Sequence, residues 1–126
     1  MGLIRTNITL RNPRDQSLAS YEAVALVDTG ALLLCIPEHI ALQLRLEMNH
    51  QREVETADGK RHQCPYVGPI EITFGNRTCF AGALVLGNEV LLGAVPMEDL
   101  DLVICPARQT VEVNPKSPNL PVAIVK

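Results

Sequence analysis

The 126-residue chain contains no tryptophan, and two tyrosines with two phenylalanines make up its whole aromatic complement, 3% against a hydrophobic fraction of 47%. A core without large rings has to be assembled from Val, Ile, Leu and Ala, a composition that suits sheets. Positive charge is not in excess: eleven Lys and Arg are scattered along the chain against fourteen Asp and Glu, for a net charge of -3. The basic stripe of a nucleic-acid surface is missing, so no nucleic acid is expected as a partner. No apolar run approaches the ~20 residues of a membrane span. No apolar signal segment follows Met1-Gly2-Leu3-Ile4-Arg5 either, so the expectation is a cytoplasmic protein with no membrane partner. Cys35, Cys64, Cys79 and Cys105 form no Cys-x-x-Cys pair and read as free, mostly buried thiols. His39, His50 and His62 share no ligand spacing, and His62 with Cys64 offers only two donors on one strand face. Neither a metal nor a cofactor is expected.

A chain this long suits one domain, 1–126, with a single core. Alternation over Ile4–Leu10 predicts a strand, and Asn12-Pro13-Arg14-Asp15 a turn. Glu22–Val27 is a short apolar strand that breaks at Asp28-Thr29-Gly30, and Leu32–Ile36 is a second apolar run ending at Pro37. Pro37-Glu38 suits the start of a helix of two to three turns carrying Ile40, Leu42, Leu44 and Leu46. The polar segment from Arg52 to Gln63, centred on Ala57-Asp58-Gly59-Lys60, predicts a projecting hairpin with Asp-Gly in its turn. Strands are expected over Ile70–Phe74, Ala81–Leu86 and Val90–Leu92. A short helix should begin at Pro96, followed by a closing hairpin from Leu102 to Val113. Three prolines mark the tail Asn114–Pro121, which should be ordered only where something packs on it. Glu98, Asp99 and Asp101 read as a solvated face of the second helix.

The sharpest feature is Ala25-Leu26-Val27-Asp28-Thr29-Gly30-Ala31, an apolar strand delivering a carboxylate into a turn. Burial penalises a charged carboxylate, so an acid there must be hydrogen-bonded or put to use. Thr29 can satisfy a neighbouring backbone group through its hydroxyl, and Gly30 lets its amide come close to the carboxylate. Asp, Thr and Gly are also ordinary turn residues, so the tripeptide alone permits a structural reading.

The segment resembles the active-site loop of the aspartic proteases of retroviral type and their small bacterial relatives, whose signature is apolar-apolar-Asp-Thr-Gly-Ala. Asp58-Gly59 falls where those enzymes carry the flap that closes over substrate. Ile70-Glu71-Ile72 and Ala83-Leu84-Val85-Leu86 look like the two strands after it. Val90-Leu91-Leu92-Gly93 is similar to the second family signature, with a short helix behind it. The resemblance spans about Glu22 to Asp101. Leu32 stands where many members carry a polar residue, the flap tip Asp58-Gly59-Lys60 is not glycine-rich, and the stretch after Cys105 is longer than in retroviral enzymes.

The resemblance implies an all-β fold, a closed retropepsin-like barrel with one or two short helices and a flap hairpin. It implies an endopeptidase acting on peptide or protein substrates as a homodimer, because the chemistry needs two carboxylates sharing a proton and this chain has one such motif. Asp28 would be catalytic, Thr29 would brace the two loops, and Gly30 would hold the carboxylates. Ala31, Leu32, Ala57, Asp58, Gly59, Lys60 and Leu91 would contact substrate. Of the apolar group Leu32, Ile36, Val90 and Leu91, which could line pockets for substrate side chains, core positions are the more natural reading. The competing expectations are a non-catalytic dimerising or regulatory domain of the same fold, a heterodimer with another Asp-Thr-Gly chain, and a small β-barrel binding module.

Overall fold

The structure, a computed structural model, describes residues 3–125; Met1, Gly2 and Lys126, at the ends of the expected domain, lie outside the described residues. Nine strands and two short helices make up the described residues, so the fold is mostly β. β1 (Arg5–Arg11) pairs antiparallel with β2 (Tyr21–Val27), from Arg5 opposite Leu26 to Leu10 opposite Tyr21. β2 runs parallel to β7 (Val90–Leu92), and β7 lies antiparallel to β3 (Leu34–Ile36). β3 runs parallel to β6 (Arg77–Val85), β6 pairs with β5 (Arg61–Phe74), and β5 returns to β1 through Thr9–Thr73, Leu10–Ile72 and Arg11–Glu71. That last pairing closes six strands into a barrel. A closed ring leaves no free edge among those six.

The aliphatic composition fills the inside. Ile8 and Leu10 of β1, Ala23 and Ala25 of β2, Leu34 and Ile36 of β3, Ile70 and Ile72 of β5 and Leu92 of β7 belong to one buried cluster. Ile36 and Val90 lie in that core, which settles the core-or-pocket alternative for those two residues.

β4 (His50–Glu55) lies outside the ring and pairs only with β5, forming the projecting hairpin. Asp58-Gly59 was expected in its turn and sits there, but with a longer loop than a two-residue turn. Gly59 N–H donates to Thr56 O at 2.8 Å, Thr56 N–H to Lys60 O at 2.9 Å, and Gly59 has φ +83°. This is a type I turn closed by a glycine bulge. β5 continues without interruption from the hairpin to Phe74, where two separate strands were expected; a register shift between Val67 and Ile70 absorbs Gly68-Pro69 as a bulge instead of a break.

The first helix, α1 (Glu38–Gln43), is shorter than its apolar spacing suggests. Arg45 turns into the left-handed region at φ +54°, with Arg45 N–H on Leu42 O and Leu46 N–H on Ala41 O. That is a Schellman end, and the Asn12 side chain satisfies the freed Leu44 carbonyl at 2.9 Å. The second helix, α2 (Ala94–Asp99), begins before Pro96, which occupies its first turn, where a missing N–H costs nothing. β8 (Leu102–Cys105) and β9 (Thr110–Val113) form the separate closing hairpin. No helix among the described residues is long and apolar enough to cross a membrane.

The tail is held. Asn76 donates to the carbonyls of Pro118 and Asn119, the buried Arg77 donates to Ser117 O, and Asp101 accepts from Ser117 Oγ and Val122 N–H. Asp101 is therefore not part of a solvated helix face as expected: it sits just past α2 with φ +54° and turns its carboxylate onto the tail. Glu98 and Asp99 are exposed.

Candidate functional site

β2 ends at Val27, whose N–H bonds Ile4 O, and the next amide, Asp28 N–H, donates to Leu92 O at 3.0 Å. Two neighbouring strands thus fix the backbone on which the carboxylate rides. The loop folds back at once: Ala31 N–H donates to Asp28 O at 3.0 Å, and Gly30 N–H donates to Asp28 Oδ1 at 3.0 Å. A side chain at Gly30 would bring a carbon to 3.1 Å from that same oxygen, a tight approach that the glycine avoids. Asp28 is partly buried, and Gly30 supplies the only hydrogen bond its carboxylate receives among the described residues.

The loop rests on the segment that opens α2. Ala94 N–H donates to Ala31 O at 2.8 Å and Val95 N–H to Leu32 O at 2.9 Å. Any side chain at Gly93 would run into the backbone of Ala31, Leu32 and Leu33. The Leu-Leu-Gly sequence of β7 and its following residue is therefore the seat of the Asp28 loop, with glycine required by close backbone approach.

Above the loop lies a cavity of about 700 Å³, walled mainly by apolar side chains. Asp28, Gly30, Ala31, Leu32, Ala57 and Leu91 all border it, so six of the ten sequence-derived site residues meet at one place. Leu32 is 65% exposed and Leu91 half-buried. Thr29 faces solvent and its hydroxyl makes no hydrogen bond among the described residues, so it does not satisfy a neighbouring backbone group as expected.

Asp58, Gly59 and Lys60 form the exposed hairpin tip and do not border the cavity. The Asp58 carboxylate accepts from Thr56 Oγ1 at 2.5 Å and Lys60 N–H at 3.0 Å, and those bonds, the hydroxyl foremost, hold it below the usual carboxylate range. Its carboxylate thus braces the turn.

Leu33, Cys35, Arg52, Val54, Leu84 and Leu86 also wall the cavity and were not among the residues expected there. Part of the signal was in the sequence: Arg52, Val54 and Thr56 alternate with Glu53 and Glu55, so one face of β4 must look inward. Cys35 and Cys64 are free and buried with Leu84 beneath the cavity. Burial pushes both thiols up, with the neighbouring Cys64 and Asp28 adding to the shift at Cys35, so both are protonated hydrophobes and not nucleophiles at neutral pH. Among the described residues no three His, Cys, Asp or Glu side chains are grouped to hold a metal ion.

No known protein family matches the chain, and no curated protein matches it.

Proposed function

We propose that this chain is half of an aspartic endopeptidase of retropepsin-like fold, active as a homodimer in which Asp28 of each copy meets at a two-fold axis. One observation carries the reading. Asp28 has its backbone held by neighbouring segments, its carboxylate is hydrogen-bonded only by Gly30 among the described residues, and it opens onto an apolar cavity roofed by the β4–β5 hairpin. A carboxylate in that setting keeps lone pairs free for a water and a proton.

Peptide hydrolysis at such a site needs a second carboxylate. Glu53 and Glu55 border the cavity but are engaged by Arg61 at 3.2 and 3.3 Å. A symmetric second copy supplies the missing group. Exposed apolar residues, Leu32 at 65% and Ile124 at 97%, give such a copy surface to cover.

The ionised Asp28 takes a proton from water as its oxygen attacks the scissile carbonyl carbon, while the protonated Asp28 of the partner gives its proton to the carbonyl oxygen. The tetrahedral diol then collapses: the carbon–nitrogen bond breaks as the newly protonated Asp28 gives its proton to the leaving amine, while one diol hydroxyl returns its proton to the ionised Asp28 of the partner and becomes the product's carbonyl oxygen, which restores the singly protonated dyad. The hairpin excludes water and holds the peptide extended.

The test combines solution mass with cleavage of a mixed peptide library between about pH 4 and 7, the range suited to a dyad that shares one proton. A dimer whose cleavage disappears in Asp28→Asn supports the reading. A folded dimer that cleaves nothing moves the function to a non-catalytic domain of the same fold, and cleavage undiminished in Asp28→Asn contradicts the mechanism.

A further inference from the structure

β4 presents two chemically different faces. Arg52 lies opposite Cys64 and Val54 opposite His62 on β5, and cross-strand partners share a face. Cys64 is buried beneath the cavity, so the Arg52 and Val54 side chains share the face toward it, while Glu53 and Glu55, which also border the cavity, have their carboxylates engaged by Arg61. Arg52 is consequently the only cation bordering the cavity among the described residues.

The Arg52 guanidinium is positioned and unspent. Its central carbon stands 3.9 Å from the centroid of the Tyr66 ring. The tyrosine lies over Gly82, its hydroxyl end filling the space that a side chain there would need. Stacking uses the face of the guanidinium and leaves its N–H edges free to donate in its plane. No carboxylate of the described residues forms an ion pair with Arg52, whereas Arg5, Arg61, Arg77 and Arg108 each have one. The apolar walls beside it strengthen any charged hydrogen bond made there.

We infer that Arg52 is a specificity-determining residue that receives a carboxylate of the substrate, so that the site selects peptides carrying an acidic side chain close to the aliphatic residue held by the apolar walls. This rests on the endopeptidase reading of the same cavity. A planar, bidentate donor selects a carboxylate over a neutral amide of the same shape, which makes Glu against Gln the discriminating comparison.

The experiment uses paired peptides that differ only by Glu or Gln at each position in turn. Binding is followed by fluorescence anisotropy on the full-length Asp28→Asn protein, and kcat/KM is measured on the wild type. At one position Glu should exceed Gln by about tenfold or more in both measurements, the scale of a hydrogen bond between charged groups. Arg52→Gln should bring that ratio close to one, and Arg52→Glu should reverse it in favour of Lys at the same position. Circular dichroism of both variants checks the fold. Peptides that bind and are cleaved with no Glu preference at any position, or a preference that survives Arg52→Gln, overturn the inference while leaving the endopeptidase reading intact. Peptides that neither bind nor are cleaved overturn both.

Discussion

Asp28 and Asp101 each follow a secondary-structure element by one or two residues, yet their carboxylates live in opposite surroundings. Asp101 accepts from Asn114 Nδ2 at 3.0 Å, Ser117 Oγ and Val122 N–H at 2.9 Å, and has the buried Arg77 guanidinium 3.9 Å away. Those bonds, the Ser117 hydroxyl foremost, hold its carboxyl down to about 2. Among the described residues the Asp28 carboxylate accepts only the Gly30 N–H, and it faces a cavity. A carboxylate saturated by its own chain is a fastener, and one left with free lone pairs beside an apolar cavity is available for chemistry.

Exchanging the charge at each acid should therefore have different consequences. Asp28→Asn should lower peptide cleavage by roughly 10²–10⁴-fold, the range general acid–base catalysis supplies, with thermal unfolding nearly unchanged. A large loss of stability in that variant would make Asp28 a structural acid like Asp101.

On the fastening side the largest effect is expected from Arg77, whose side chain is 0% exposed and whose Nε and Nη1 have no hydrogen-bond partner among the described residues. Arg77→Ala should cost about 2–5 kcal/mol in urea unfolding, as for other truncations of a large buried side chain, and should release the tail whose Ser117 carbonyl it holds.

Gly93→Ala probes the seat of the Asp28 loop from below. The added methyl meets backbone, which cannot rotate away, so a loss of about 1–3 kcal/mol is expected together with impaired cleavage. Unchanged activity would show that the loop does not depend on that seat.

The smallest effect belongs to Asp101→Asn. A carboxyl whose folded value is depressed from 3.8 to about 2 stabilises the protein above its ordinary value and loses that contribution as pH falls toward the depressed one. The wild type should lose stability between about pH 4 and 2 more steeply than the Asn variant. At neutral pH, amide exchange at Ser117 and Val122 should be several-fold faster in the variant.

The same contrast explains what could be read from the chain. Asp28 was legible because an acid directly after an apolar strand violates local pattern and so demands a reason. The Asp58-Gly59 hairpin was legible because turn chemistry is local, and the aliphatic composition pointed to sheets, while the closed barrel was expected only as what the family resemblance implies. Asp101 was not legible, since its partners Asn114, Ser117 and Val122 lie 13 to 21 residues further on and only the folded tail brings them back. The length of α1 escaped for a similar reason: Asn12, 32 residues away, secures an end that the apolar spacing runs past. The hairpin was expected to end at Gln63 and the next strand to begin at Ile70, but pairing with β6 on both sides of Gly68-Pro69 carries β5 through as one strand with a bulge. Arg52 sat in plain alternation on β4, but its role depends on Tyr66 and Gly82, which only the fold places beneath it.

The most direct test of the account is the stoichiometry of a statine-type inhibitor, whose hydroxyl stands in for the attacking water, titrated calorimetrically into the wild-type protein. One inhibitor bound per two chains, with binding lost in Asp28→Asn, is the predicted result. One inhibitor per chain, or binding that is indifferent to the Asp28→Asn change, would contradict a site built from one Asp28 of each copy.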